Sequence, residues 1–282
     1  MTDRLDALLD RITPTRIWGQ LSARHPTSPA DWLLAAWHAR TAYLGSPAEE
    51  LRRRNALLYG DFVPFVSGHR RGYLWSSQRT AVVAIAGSDD LRDWSDNVRC
   101  ACPESAGYRI RVHRGFAAHA EELRHVLDEY AAPLLAGRQV VLCGHSLGGA
   151  VCLLLPLLSQ LPEIRAASIV TFGAPRAGDA GLRRFLAKRS VSQLANDGDP
   201  VPLLPVRGPL FGYRHARPLI HLTDRGTWSA AWHHRYGRLC AAMTAGLLPQ
   251  SIRSRVACRI MAAVRAHRMA SYVDRLLALS GD

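Results

Sequence analysis

One run constrains the chain more than any other. Residues 139–156 read QVVLCGHSLGGAVCLLLP: an apolar stretch ends at a serine held between glycines, and a second apolar stretch begins at once. Such a run describes a buried strand that turns sharply into a buried helix. Side chains two residues either side of the serine would collide in so tight a turn, so glycine is the residue that fits at 144 and 148. The turn exposes the Ser146 hydroxyl at the C-terminal end of a strand. It also aims the backbone N–H of Leu147 at a negative charge developing beside that hydroxyl. The plainer alternative is a structural turn with a capping hydroxyl. At ordinary Gly and Ser frequencies the five-residue pattern arises by chance about 0.1 times in a chain of this length. The strand before it and the helix after it make chance a poorer account still.

The rest of the chain supplies more of the same alternation. Ser28-Pro-Ala-Asp31 and Ser46-Pro-Ala-Glu49 read as capping boxes with proline at the first helical position. They predict helices over Trp32–Tyr43 and Leu51–Tyr59, the second stopped by Gly60. Strands are expected at Ala81–Ile85, Tyr108–Val112, Val140–Cys143, Ala167–Phe172, Val191–Ala195 and Pro218–Leu222. Helices are expected at Phe116–Leu135, Leu147–Leu161 and Ala180–Lys188. Strands alternating with helices point to a mostly parallel central sheet covered on both faces, an α/β fold in one domain over residues 1–282. Residues 1–60 would add N-terminal helices and residues 228–282 a C-terminal helical segment.

Charge bears on partners rather than on fold. The 36 Lys+Arg residues, nearly all arginine, against 23 Asp+Glu give +13. Such a surface favours anionic partners. No zinc-ligand spacing or aromatic RNA-binding signature accompanies the cations, so nucleic acid is not expected. In the tail, Ile252, Val256, Ile260 and Val264 form an i, i+4 stripe, with Arg253, Arg255, Arg259 and Arg265 mostly off it. That pattern fits a helix packed on the sheet with a solvated basic face, or else a surface resting on anionic lipid.

Cys143 and Cys152 sit inside apolar runs, and Cys100 and Cys102 are too close for an ordinary bridge, which favours a reduced compartment. The N-terminus has acidic residues and no apolar core of a Sec-type signal. No run reaches the roughly 18 apolar residues needed to span a bilayer. A cytoplasmic or membrane-peripheral location is the expectation.

The ordered motifs resemble the class 3 lipases of the α/β-hydrolase superfamily. Besides Gly144-His-Ser-Leu-Gly-Gly-Ala150, Gly87-Ser-Asp-Asp-Leu-Arg-Asp-Trp94 is similar to the family's oxyanion-loop and lid segment. Val112-His-Arg-Gly-Phe116, Thr171-Phe-Gly-Ala-Pro-Arg-Ala-Gly-Asp179 and Asn196-Asp-Gly-Asp-Pro-Val-Pro202 resemble further family blocks in the family's order. The resemblance implies Ser146 as nucleophile, Asp199 as the acid that orients the base, and Ser88 as an oxyanion donor beside Leu147. Spacing separately favours Asp199, which follows a strand, precedes a proline-fixed turn and comes after the serine; Asp197 and a non-catalytic turn aspartate remain open. Ile85-Ala86 stands where the family usually has Phe-Arg, and the lid-like Asp89–Asp96 is short and acidic.

The base must be a histidine beyond Asp199. His215, in Gly212-Tyr-Arg-His215, resembles a non-catalytic family block near the last strand, and His221, inside an apolar run, reads as a packed or hydrogen-bonded core residue. His233-His-Arg-Tyr236 resembles the spacing of some fungal members, and His267-Arg-Met-Ala-Ser-Tyr272 the start of the closing helix in many bacterial ones. His267 is preferred, although Ala266 stands where the family often has aspartate. His113 and His145 are expected to be structural. The resemblance therefore implies a serine carboxyl-ester hydrolase acting on lipid esters such as triacylglycerol, monoacylglycerol or phospholipid, with no metal or organic cofactor. The positive charge tilts this toward anionic phospholipid. The alternative is an interaction protein on a lipase fold with little or no activity. Oligomeric state is left open.

Overall fold

The computed structural model describes residues 26–53, 60–67, 70–87, 100–101, 104–105, 108–205, 212–223 and 264–280. The chain enters through helices α1 (Pro29–Thr41) and α2 (Pro47–Arg53), then strands β1 (Asp61–Ser67), β2 (Arg70–Ser76) and β3 (Thr80–Ile85). Four two-residue pieces follow: β4 (Cys100–Ala101), β5 (Glu104–Ser105), β6 (Tyr108–Arg109) and β7 (Val112–His113). Next come α3 (Arg114–Val126), a π-helical turn (Leu127–Ala131), α4 (Ala132–Leu135), β8 (Gln139–His145) and α5 (Leu147–Leu158). The C-terminal half adds α6 (Pro162–Arg165), β9 (Ser168–Phe172), α7 (Ala180–Leu186), β10 (Val191–Asn196), β11 (Ile220–Leu222) and α8 (Met269–Ser280).

Seven strands form one sheet in the order β1-β2-β3-β8-β9-β10-β11. The five strands from β3 to β11 pair in parallel, and β1 and β2 extend the sheet antiparallel at one edge. The parallel strands are buried on both faces, and successive residues go to opposite layers. On β8, Val140 and Leu142 join the layer built by α3, α5 and α7, while Val141 and Cys143 join the layer built by α1 and α8. The register Val83↔Leu142 and Leu142↔Ile169 keeps like faces together across the centre. This is the α/β-hydrolase architecture expected.

Helix α1 lies between the sheet and α8, which explains its lack of a polar face: Trp32, Leu33, Ala35, Ala36, Trp37 and Ala39 are all buried. Its start is held by the expected capping box, with Asp31 N–H donating to Ser28 Oγ at 3.1 Å and Ser28 N–H donating to Asp31 Oδ2 at 3.2 Å. Helix α8 buries Met269, Tyr272, Val273 and Leu276 against the same layer. Among the described residues no helix is long and apolar enough to cross a membrane.

Several boundaries differ from expectation. Tyr108–Val112 is not one strand: Ile110 and Arg111 are turned out of the ladder, where the Arg111 carbonyl accepts the Asp179 N–H at 2.9 Å. The helix expected over Phe116–Leu135 widens into a π turn just before Pro133, which has no N–H to offer the carbonyl four residues back. The helix after Ser146 ends at Leu158 rather than Leu161, and α7 ends at Leu186 rather than Lys188. Strands β1 and β2 were not anticipated at all. Residues 1–25, 54–59 and 224–263 lie outside the described residues, and with them the arginine-flanked stripe up to Ile260; its last member, Val264, is exposed.

The docking of α8 predicts that Leu276→Ala, which empties a fully buried site, lowers unfolding free energy by about 2–5 kcal/mol in urea titrations. Burial also lowers the pKa of His38 from 6.5 to about 3. Burial, with the charge of His119 behind it, lowers that of His113 to about 4. The unfolded chain then binds protons that the folded one refuses below about pH 6.5, so these groups' contribution is complete above that value and is lost as pH falls. The urea midpoint should drop as pH is taken from about 7 to about 5.

Candidate active site

Ser146 sits where β8 runs out and α5 begins. Among the described residues it is the one non-glycine with positive φ (58°, ψ −127°), a backbone conformation that costs about 1–3 kcal/mol and must be held by its surroundings. Two features hold it. The Ser146 N–H donates to the Phe172 carbonyl at the end of the neighbouring strand, at 2.9 Å. The flanking glycines let backbones meet: a Cβ on Gly144 would lie 2.6 Å from the Gly148 carbonyl, and a Cβ on Gly148 would collide with the carbonyls of Ile85 and Ala86. Leu147 opens α5, so its N–H is one of the donors that a helix start leaves without an intrahelical partner.

Asp199 comes from the turn after β10. His267 ends a helical turn over 264–267 that leads into α8. The structure brings the three side chains together although they are far apart in sequence. His267 Nδ1–H faces both oxygens of Asp199, at 3.0 Å and 2.9 Å, which leaves Nε2 to accept from the Ser146 hydroxyl at 3.0 Å. All three are buried, with Ser146 1%, Asp199 6% and His267 6% exposed. Gly173, at φ +60°, makes room for them, because a Cβ there would stand 2.7 Å from Asp199 Oδ2 and 3.1 Å from His267 Cε1.

The Asp199 carboxylate is fully engaged. Oδ1 also accepts the Val201 N–H at 2.9 Å, and Oδ2 accepts the Tyr272 hydroxyl at 2.6 Å. Tyr272 in turn accepts the Asn196 N–H at 3.0 Å, while Asn196 Nδ2 donates to the Ala266 carbonyl at 2.9 Å. Burial first, and then the charge of Asp199, push the Tyr272 pKa well above 10.0, so it remains a donor. The sequence placed Tyr272 only at the start of the closing helix. The signal that it also touches Asp199 was its place five residues beyond His267.

The other sequence candidates fall elsewhere. Asp197 binds through its backbone, its N–H donating to the Leu222 carbonyl and its own carbonyl accepting from Arg275. His221 lies on β11 opposite Ala195, and His113 caps α3 by accepting the Phe116 N–H at 3.4 Å. His145 turns its ring to Tyr43 and to the His267 backbone. Ser88, the lid-like Asp89–Asp96 and His233 lie outside the described residues.

A buried serine hydroxyl hydrogen-bonded to an imidazole, itself bonded to a carboxylate, is an arrangement able to make a nucleophile. Residues 82–208 match the family model described as Lipase (class 3). The chain is 31% identical over 162 residues to a lipase of Rhizomucor miehei, covering 52% of this chain and 43% of that one. It is 30% identical to secreted mono- and diacylglycerol lipase 2 of Gibberella zeae (44% and 34% covered). It is 31% identical to the chloroplastic phospholipase A1 PLIP2 of Arabidopsis thaliana (44% and 19% covered). The chain thus spans less than half the length of each of these curated relatives. In fold, it superposes on the Rhizomucor miehei lipase–propeptide complex with a TM-score of 0.55 at 21% identity, covering 70% of this chain and 68% of that one. The lipase of Rhizopus microsporus var. chinensis gives 0.54 at 22% identity, with 71% and 77% covered. The ordered motifs and the match over residues 82–208 make the chain similar to the class 3 lipases over that stretch, and the shared sheet shows the α/β-hydrolase fold.

Proposed function

We propose that the protein is a serine hydrolase of lipid carboxyl esters, with Ser146, His267 and Asp199 as its catalytic residues. The observation that carries this reading is the continuous hydrogen-bonded line from the Ser146 hydroxyl through the His267 ring to Asp199. His267 Nε2 takes the Ser146 proton as Oγ attacks the ester carbonyl. Asp199 fixes the Nδ1–H tautomer and stabilises the imidazolium. The N–H groups of Leu147 and Ser88 hold the tetrahedral oxyanion, the protonated imidazole releases the alcohol, and water then frees the acyl group by the same steps. This chemistry needs no metal or organic cofactor.

The names of the relatives support lipid esters as the substrate class, since they include a lipase, a mono- and diacylglycerol lipase and a phospholipase A1. The +13 charge favours peripheral contact with an anionic lipid surface over a neutral one. A cytoplasmic or membrane-peripheral compartment is proposed with it, on the support of the free, buried thiols of Cys143 and Cys152; the Gibberella relative carries the word secreted in its name.

Purified protein should hydrolyse p-nitrophenyl esters, and Ser146→Ala should reduce kcat by about 10⁴-fold or more without unfolding. Asp199→Asn should reduce it by about 10³–10⁴-fold, because the wrong imidazole tautomer then faces the serine. No turnover of any chain length from short to long, or full activity in Ser146→Ala, would overturn the reading and favour an interaction protein on this fold. On mixed vesicles, hydrolysis should rise with the anionic lipid fraction and fall with added salt.

A further inference from the structure

A second line of hydrogen bonds runs along the other side of the site and involves none of the three proposed catalytic side chains. The Gly87 N–H donates to the Tyr43 hydroxyl oxygen at 2.7 Å, Tyr43 and His145 Nδ1 are 2.7 Å apart, and His145 Nε2 is 2.6 Å from the His267 carbonyl oxygen. The proton positions follow without choice. A carbonyl only accepts, so Nε2 carries the hydrogen. A neutral imidazole has one such hydrogen, so Nδ1 accepts from the Tyr43 O–H, and the tyrosine oxygen is left to accept from Gly87. Burial first, then the neighbouring His267, lower the His145 pKa well below 6.5, which keeps the ring neutral. Every donor in the line points the same way, from the end of β3 to the backbone of His267, so each bond polarises the next.

The two ends of the line matter. Gly87 directly precedes Ser88, and it is wedged in place: a Cβ there would stand 2.5 Å from the Tyr43 hydroxyl and 2.9 Å from Ser146 Cβ. At the other end, the anchored carbonyl belongs to His267 itself, and the two imidazole rings lie 4.6 Å apart between centroids. Tyr43 follows α1, about a hundred residues from the serine turn, and its ring packs edge-on to His145 at 5.7 Å.

We propose that Tyr43, acting with His145, is a positioning residue that ties the oxyanion loop at Gly87 to the backbone of His267 and so holds both halves of the site in register around Ser146. This rests on the hydrolase reading. Removing the hydroxyl strands two groups at once, the Gly87 N–H and His145 Nδ1, and frees the oxyanion loop from the imidazole. The loss appears where charge develops in the transition state rather than in substrate binding.

The test compares wild type with Tyr43→Phe, which keeps the ring and removes one oxygen. The expected result is a kcat lower by about 10- to 100-fold with KM changed less than about twofold. The Ki of a long-chain trifluoromethyl ketone, which binds as a tetrahedral oxyanion, should rise by the same factor, while inhibition by the fatty-acid product stays as it was. In ¹⁵N NMR the His145 Nδ1 resonance should move toward that of an imidazole nitrogen lacking a donor. Tyr73→Phe is the control: it removes another buried hydroxyl bonded to a histidine, His38 Nδ1 at 2.7 Å, and should lower the melting temperature while leaving kcat unchanged. His145→Gln should reproduce the kcat loss if Tyr43→Phe does not fold. An active wild type with Tyr43→Phe equal to it in kcat and Ki overturns this inference alone, as does an equal loss in Tyr73→Phe. A wild type that turns over no ester overturns the hydrolase reading beneath it.

Discussion

The contact on which the site depends is the one between Ser146 Oγ and His267 Nε2, made by residues 121 positions apart. Neither side chain reaches the other through local structure. The serine is delivered by a strained turn at the end of a central strand, and the imidazole by a helical turn that precedes α8. What joins them is burial: Tyr272, Val273 and Leu276 seat α8 in the layer that also holds α1. The free energy that docks the closing helix is therefore the same free energy that places the imidazole. A loosened core on this face and a displaced imidazole are one event seen by two measurements.

Polar groups then refine what packing makes approximate. Asp199 takes hydrogen bonds from His267, Tyr272 and Val201, so its orientation is over-determined. Tyr272 belongs to α8 and Asn196 to β10, so the same bonds that orient the Asp199 carboxylate also clamp the helix to the sheet. On the far side, Tyr43 and His145 perform a comparable clamp between β3 and His267. Ser146 thus lies between two buried polar lines, one whose donors converge on Asp199 and one whose donors run from Gly87 to the His267 carbonyl. Gly87, Gly144, Gly148 and Gly173 give the backbone and side chains the close approach that these lines require.

The part of this that was legible in the sequence was the part with strong local chemistry. A β-rich apolar run, a glycine-flanked serine and an apolar helix can only alternate in one way, and the same holds for β9, α7 and β10. Asp199 was readable because a turn after a strand, stiffened by Pro200 and Pro202, is a local feature. The antiparallel pair β1 and β2 escaped because Pro64 and Gly72 break the strand pattern; Pro64 is tolerated on an edge strand, and Gly72 lets the Phe65 ring pass within 2.5 Å of where a Cβ would be. Tyr43 escaped for a different reason. It sits in no motif, and its value comes from a hydrogen bond across about a hundred residues, which periodicity and spacing do not encode. Between His267 and His233 the sequence held only a preference, since both offer a histidine ahead of a tyrosine; His267 is the one the described structure brings to Ser146.

The central claim is that Ser146 is made nucleophilic by this arrangement and that no other serine is. Treatment with a long-chain fluorophosphonate, followed by peptide mapping, tests it most directly. The adduct should fall on Ser146 alone, and its rate of formation should drop sharply in His267→Ala. An adduct on another residue, no adduct at all, or an undiminished rate in His267→Ala would contradict the account.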